Sequence, residues 1–209
     1  KRLVGGAALV PTMRTLIQRM SSPRPLVRAV AALLTATGQQ SSTLLLRDVG
    51  HHDTDHYWRL VEAQLAYQER FRIALDSAPG GPFDLILCPA AALPALPHGA
   101  GGGPVGTLGA YTLLYNLLGY PAGVVPVTRV QPGEETERAA NTRDDVERAA
   151  RQVELGSAGL PIGVQVVARP WREHVALAAM LAIEAAASRT DTYPHLRQLT
   201  SYAEAHLRR

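Results

Sequence analysis

The chain has 209 residues, of which 46% are hydrophobic and 19% are charged, and its mean hydropathy is −0.02. This composition excludes a disordered low-complexity chain, because enough apolar side chains are present to form a core. The net charge of +3 is too small an excess to predict a nucleic-acid-binding protein, although it suits an anionic membrane surface.

Residues 11–38 have the pattern of two short amphipathic helices, separated by the proline-containing sequence SSPRP at residues 21–25. The pattern fits two arrangements equally well. One is ordinary packing onto the domain. The other is a membrane-surface hairpin whose apolar residues enter the bilayer interface while its arginines meet anionic headgroups. The residues that would face the bilayer are Met13, Leu16, Ile17, Met20, Leu26, Val30 and Leu33.

Helices and strands alternate through the rest of the chain. Hydrophobic periodicity and turn residues predict helices over 57–78, 110–118 and 171–187, and short buried strands over 84–89, 123–127 and 162–168. This order predicts an α/β fold in which a sheet is packed between helices.

Two further segments complete this prediction. The charged residues 131–154 are typical of a surface excursion between two core strands. The last helix is rich in alanine, and its spacing predicts a core-facing side made of Val175, Ala178, Leu181 or Ala182, and Ala185.

Three segments carry side chains or glycines that are used in catalytic or metal sites. The sequence HHDTDH at 51–56 lacks the glutamate of a zinc-protease motif, which favours a loop that caps the next helix. The glycine-rich sequence HGAGGGPVG at 98–106 fits neither a phosphate loop nor an esterase oxyanion loop, and we interpret it as a substrate-side loop. Cys88, the only cysteine, ends an apolar run and is interpreted as a small core residue. We therefore expect no metal and no cofactor.

Two residues within apolar surroundings have both a structural and a functional interpretation. Asn116 lies in the run YTLLYNLLGYPAGVVPV at 111–127, where a buried amide would anchor a turn, or else contact a ligand; the structural role is favoured. Trp171 follows a strand at a corner, where it would fill the core or form the wall of an apolar ligand channel.

Three motifs in order resemble the C-terminal half of the amidase signature family. They are the strand DLILCP at 84–89, the stretch YNLLGYPAGVVPV at 115–127, and the strand and helix GLPIGVQVVARPWREHVALAAMLAIE at 159–184. The resemblance is greatest to the members that hydrolyse fatty acyl amides. It implies one partial amidase domain over 1–209, with a mixed sheet core flanked by helices at 57–187 and an N-terminal helical hairpin cap at 11–38.

The resemblance also implies a substrate site. It places Gly106, Gly109, Leu113 and Trp171 at positions that line an acyl-chain channel. Gly106 and Gly109 stand where the family has bulkier residues. The implied ligand is a lipid amide, and no catalytic residue is assigned within this chain.

The family's reaction uses a serine nucleophile, a second serine and a lysine base, which lie in and before a Gly/Ser-rich segment. This chain has no such segment, and its only lysine is Lys1. Arginine cannot replace the base, because it stays protonated. We therefore expect the 209 residues to lack amidase activity by themselves.

Three hypotheses follow from the sequence: part of a lipid-amide hydrolase, part of an amidase for small amides, or a non-catalytic chain that binds apolar ligands or membranes. The hairpin favours the first over the second. The expected partners are a lipid amide and a membrane surface, not nucleic acid, and a homodimer is left open. The corresponding location is the cytosolic side of a membrane or the cytoplasm.

Overall fold

The computed structural model describes residues 21–39, 43, 46, 53–102, 110–138 and 144–195. These residues form five α-helices and three strands. The helices are α1 (Arg24–Ala36), α2 (Thr54–Ser77), α3 (Ala110–Leu118), α4 (Asp145–Glu154) and α5 (Glu173–Ala187). The strands are β1 (Leu85–Pro89), β2 (Ala122–Arg129) and β3 (Pro161–Ala168). Single turns of 3-10 helix lie at Ala100–Gly102 and Glu134–Thr136.

The three strands form an antiparallel sheet with β3 in the centre. Leu85 of β1 pairs with Ala168, and Ala122 of β2 pairs with Val167. Both outer strands therefore begin where β3 ends. We call this side of the sheet the upper edge, and the side where β3 begins at Pro161 the lower edge.

Both faces of the sheet are covered by helices. Side chains alternate between the two faces along each strand, so neighbouring residues of β3 contact different helices. On one face, Val167 packs with Tyr115 and Leu118 of α3 and with Phe71 of α2. On the other face, Val166 packs with Ala176 of α5 and with other apolar residues of that helix. The predicted α/β class, with a sheet between helices, is confirmed.

The prediction of which side of α5 faces the core is largely wrong. Val175 does pack against the sheet, but Ala178, Leu181, Ala182 and Ala185 are exposed. The residues that face the sheet are Val175, Ala176, Ala179, Met180 and Ile183. Because apolar residues occupy twelve of the fifteen positions of this helix, the sequence pattern did not distinguish one side from another.

The charged segment after β2 is more than a surface excursion. Its helix α4 buries Ala150 and Val153 against Leu93, which belongs to the loop after β1. Arg138 adds bonds from Nη1 to Glu147 at 2.9 Å and from Nε to Glu154 at 2.7 Å. The segment thus fixes the loop that follows β1.

The sequence HHDTDH was expected to cap the next helix, and this is confirmed for Asp53. Its carboxylate accepts a hydrogen bond from the backbone N–H of His56 at 2.7 Å, at the first turn of α2. This bond lowers the pKa of Asp53, because it favours the charged carboxylate. Over the described part of the chain, no group of three or more His, Cys, Asp or Glu side chains is placed to hold a metal ion.

Two glycines of the sheet allow close packing, and they give a testable difference in stability. A Cβ at Gly163 would lie 2.6 Å from Val124 Cγ1 and 3.2 Å from the carbonyl oxygen of Val125. A Cβ at Gly123 would meet only the flexible end of Met180, at 2.5 Å from its sulfur. We expect Gly163→Ala to lower the free energy of unfolding by about 1–3 kcal/mol, the usual cost of overpacking, and Gly123→Ala to lower it less. Urea unfolding of both variants measures this, and an equal loss would contradict the packing described.

Candidate functional site

A cavity of about 580 Å³ opens at the lower edge of the sheet. We call it the strand-end cavity. It is lined by residues 90–96 after β1, residues 161–163 at the start of β3, and Thr112 of α3. Its volume lies within the range of small-ligand sites, about 300–1,000 Å³. Among the described residues, the lining holds no ionisable side chain, so this part of the cavity suits an apolar group.

Behind this cavity, three polar side chains meet inside the core. The thiol of Cys88 donates to the hydroxyl of Tyr115 at 3.5 Å, and Gln165 Nε2 donates to Cys88 Sγ at 3.5 Å. Burial, followed by the bond to Cys88, raises the pKa of Tyr115 to about 12. A phenol and an amide are not bases at neutral pH, so this arrangement supports the interpretation of Cys88 as a core residue rather than a nucleophile.

Helix α3 presents a mixed surface above the sheet. Tyr115 and Leu118 are buried, whereas Leu113 is 60% exposed. Leu113 is therefore open to a ligand or to another part of a larger domain. Gly106 and Gly109, the two other channel positions implied on this side, lie outside the described residues.

The expectation that Asn116 buries its amide is wrong, because the residue is exposed. The turn after α3 is held instead by backbone hydrogen bonds, from Gly119 N–H to the Asn116 carbonyl at 3.3 Å and from Tyr120 N–H to the Tyr115 carbonyl at 3.0 Å. Gly119 has a φ of 71°, as helix ends often require.

The end of α3 is also capped from a neighbouring helix. The amides of Gln64 and Gln68 on α2 both donate to the carbonyl of Leu117, at 3.1 Å and 2.7 Å. These bonds satisfy a carbonyl that a helix end leaves without a partner in its own helix. The sequence signal is two glutamines four residues apart, which place both amides on one side of α2.

Trp171 is 88% exposed, so the interpretation of this residue as core filler is wrong. Its φ is 64°, the left-handed region that non-glycine residues seldom occupy. That conformation costs about 1–2 kcal/mol for a residue with a Cβ. A large apolar side chain that is both strained and exposed is a candidate contact residue.

Leu113 and Trp171, the two described residues that the resemblance assigned to a channel, lie toward opposite edges of the sheet. Trp171 lies three residues beyond Ala168, outside the upper edge. Leu113 lies in the first half of α3, one residue after Thr112, which lines the strand-end cavity at the lower edge. A ligand that touches both would therefore have to be elongated.

Helix α1 separates its apolar residues onto two sides. Val27, Ala31 and Leu34 are half-buried. Three of the proposed membrane-facing residues are exposed instead: Leu26 is 58%, Val30 41% and Leu33 65% exposed. The other four, Met13, Leu16, Ile17 and Met20, lie outside the described residues. In the portion of the chain that is described, no helix combines the length and apolar character needed to cross a bilayer.

The motifs and the fold are similar to those of known proteins. A family model described as Amidase matches residues 30–177, which is well over half of the chain. The chain belongs to the amidase family. The resemblance in the sequence motifs is thereby confirmed.

Individual amidases show which members are similar. The chain is 43% identical to fatty acid amide hydrolase 1 of Caenorhabditis elegans over 106 residues, covering 49% of this chain and 18% of that protein. It is 35% identical to fatty-acid amide hydrolase 1 of Sus scrofa over 164 residues, covering 77% of this chain and 25% of that protein. The chain thus spans a quarter or less of the length of these relatives.

A solved structure shows the same fold. A fatty acid amide hydrolase matches with a TM-score of 0.50 and 19% identity, over 69% of this chain and 25% of that one. The expected fold, part of an amidase domain, is confirmed by this match.

Proposed function

We propose that the chain is the part of a lipid-amide hydrolase that supplies the acyl-channel wall and a membrane-facing cap. The hydrolase would cleave a fatty acyl amide by acyl transfer to serine and then to water. In this proposal the two serines and the lysine of that mechanism are not among the 209 residues. The single observation that carries the proposal is the exposure of Trp171, 88% open to its surroundings at a position where the family has a channel residue.

Exposing such side chains to water has a cost in free energy. An indole and a leucine in water forgo the favourable transfer of their surface into an apolar environment, worth about 1.5–3 kcal/mol for a leucine-sized side chain. An acyl chain that lies along Leu113 and Trp171 would recover part of that free energy. The strand-end cavity, which has no charged lining, would suit the same kind of ligand.

The proposed surroundings of the protein follow from α1. Its exposed apolar residues and the arginines near its start support peripheral attachment to a membrane, from which a lipid amide would enter. A second candidate, an amidase for small polar amides, would gain nothing from this apolar surface.

The proposal predicts that the 209-residue chain binds a fatty amide without hydrolysing it. The probe is 9,10-dibromostearamide, whose bromines quench tryptophan fluorescence on contact. The chain has two tryptophans, Trp58 and Trp171. We expect quenching in Trp58→Phe, where Trp171 remains, and little in Trp171→Phe, where Trp58 remains. No free fatty acid should appear, and a fluorophosphonate probe should label no serine.

The two single-tryptophan variants are matched controls for each other, since Trp58 is also exposed, at 59%. Equal quenching of both tryptophans would indicate unspecific partition of the amide onto apolar surface and would contradict a channel at Trp171. Covalent labelling of a serine, mapped by peptide mass spectrometry, would refute the assignment of catalysis to residues outside this chain.

A further inference from the structure

Trp171 occupies the third position of a tight turn between β3 and α5. The backbone N–H of Arg172 donates to the carbonyl of Arg169 at 3.0 Å, which closes the turn. Pro170 stands at the second position, and the positive φ of Trp171 at the third. This is the pattern of a type II turn, in which the third position is normally glycine.

A residue in such a conformation persists only where its surroundings hold it there. On the C-terminal side of the turn, helix α5 holds the backbone in place. The carbonyl of Arg172 accepts hydrogen bonds from the N–H groups of Val175 at 3.0 Å and Ala176 at 3.3 Å. The last residue of the turn is therefore fixed to the first turn of the helix.

On the N-terminal side, the side chain of Arg169 provides the anchor. Its Nε donates to the carbonyl of Phe83 at 2.8 Å, just before β1, and its Nη1 donates to Asp76 Oδ1 of α2 at 2.5 Å. The side chain is only 22% exposed. One guanidinium thus ties the first residue of the turn to two other elements, and its planar fork suits this double contact.

An aromatic pair lies next to this guanidinium. Tyr120 is buried close to Arg169 and meets Phe71 edge-on at 5.6 Å between ring centres. Within the described residues, the Tyr120 hydroxyl and Arg169 Nη2 are buried without a hydrogen-bond partner. A buried donor without a partner is unfavourable. The role of this side chain therefore lies in the two bonds that its Nε and Nη1 make.

We propose that Arg169 is a positioning residue, whose guanidinium fixes the first residue of the turn and so keeps Trp171 in the left-handed conformation that directs its indole outward. Without this anchor, the turn is free to relax to a conformation with negative φ at Trp171, which moves the indole. Only the identity of the ligand that the indole contacts rests on the proposed function.

The test uses the 209-residue chain carrying Trp58→Phe, so that Trp171 is its only tryptophan. Arg169→Met removes both anchoring bonds, and Arg169→Lys keeps a charge for Asp76 but loses the fork. Arg72→Met is the matched control, because Arg72 Nη1 also bonds Asp76, at 2.8 Å, but does not touch the turn. The readouts are the nanosecond anisotropy decay of Trp171 and the affinity for 9,10-dibromostearamide.

We expect Arg169→Met to lower the residual anisotropy of Trp171 and to weaken dibromostearamide binding by about tenfold, or 1.4 kcal/mol. Arg169→Lys should restore part of both, and Arg72→Met should change neither. Unchanged anisotropy in Arg169→Met, or an equal fall in Arg72→Met, would overturn the proposal. Should Arg169→Met fail to fold, Arg169→Lys decides in the same way: lowered anisotropy supports the proposal and unchanged anisotropy overturns it.

The two readouts separate this inference from the proposed function. If the Trp58→Phe protein shows no quenching by dibromostearamide, the channel proposal fails. The anisotropy comparison then still decides whether Arg169 positions Trp171, because it needs no ligand.

Discussion

Replacing Trp171 by glycine is expected to abolish fatty-amide binding and at the same time to leave the protein more stable than Trp171→Ala does. Both variants remove the indole, so both should lose the proposed contact with the acyl chain. They differ in the backbone, because alanine keeps the Cβ that makes a φ of 64° unfavourable and glycine does not. The difference in the free energy of unfolding should be about 1 kcal/mol in favour of glycine.

The measurement combines thermal unfolding with isothermal titration of dibromostearamide. For a chain of this size, 1 kcal/mol corresponds to a shift in the melting temperature of about 2–4 °C. Little apolar burial is lost in either variant, since the side chain is largely exposed. A glycine variant no more stable than the alanine variant would show that the turn is unstrained. Undiminished ligand binding in both variants would show that Trp171 is not a contact residue.

This comparison bears on why a tryptophan stands in the turn. A glycine at position 171 would relieve the strained backbone. The chain instead has a tryptophan in this turn, which is held by Arg169, a residue with one buried nitrogen that has no partner. Strain of this kind is concentrated at active sites, ligand clamps and switch regions. The opposing effects expected on stability and on binding are what distinguish such a site from an ordinary turn.

Much of the fold could be predicted from the sequence, because its local signals agree with one another. The helix over 110–118 is found at the predicted bounds, and the strands predicted over 84–89 and 162–168 differ from those observed by one residue at the start. Each is a short apolar segment bounded by glycine or proline, which leaves few other structures open. The order of the strands and the pairing of β3 with both neighbours depend on contacts distant in sequence and were not predicted.

The predictions that failed concern which side of an element is buried. In α5 the abundance of alanine removed the contrast on which the pattern depends. For Asn116, an apolar neighbourhood in sequence was taken for an apolar neighbourhood in space, whereas the residue lies on the open side of α3. Periodicity identifies a buried side only where polar residues mark the opposite one.

The candidate site, like the fold, could be predicted only in part. Resemblance to the amidase family selected Leu113 and Trp171, and both are exposed. It gave no indication of the backbone conformation of Trp171. Nor did it indicate the bond between Arg169 and Asp76, which are 93 residues apart in the chain. Contacts of this kind leave no local pattern, and only the folded arrangement reveals them.

The exposed leucines of helix α1 predict binding to a membrane surface. Leu26→Glu combined with Leu33→Glu should abolish binding to lipid vesicles. Both side chains are more than half exposed, so the glutamates need not enter the core and the protein should remain folded. Each leucine that enters the bilayer interface contributes about 1.5–3 kcal/mol, and losing two should weaken binding at least a hundredfold. Flotation with phosphatidylcholine vesicles, with and without phosphatidylserine, measures the loss.

Two further variants separate the apolar from the electrostatic contribution. Arg24→Gln with Arg28→Gln should weaken binding to anionic vesicles by about 2 kcal/mol, since each basic residue near such a surface contributes about 1 kcal/mol. It should change little with neutral vesicles. Ala32→Glu with Thr35→Glu is the control for the leucine variant, because it adds the same charge at exposed positions on another side of α1.

The outcome distinguishes the two arrangements that the hairpin pattern allowed. If the exposed leucines pack against protein in the native molecule, the double glutamate variant should lower the melting temperature, and its loss of flotation would follow from unfolding. If they face a bilayer, the melting temperature should stay unchanged while flotation is lost, and the control variant should still float. Val27, Ala31 and Leu34 on another side of α1 are half-buried, whereas Leu26 and Leu33 are exposed, which is the arrangement that a membrane-facing leucine side requires. A folded leucine variant that still binds vesicles would refute the membrane-facing cap.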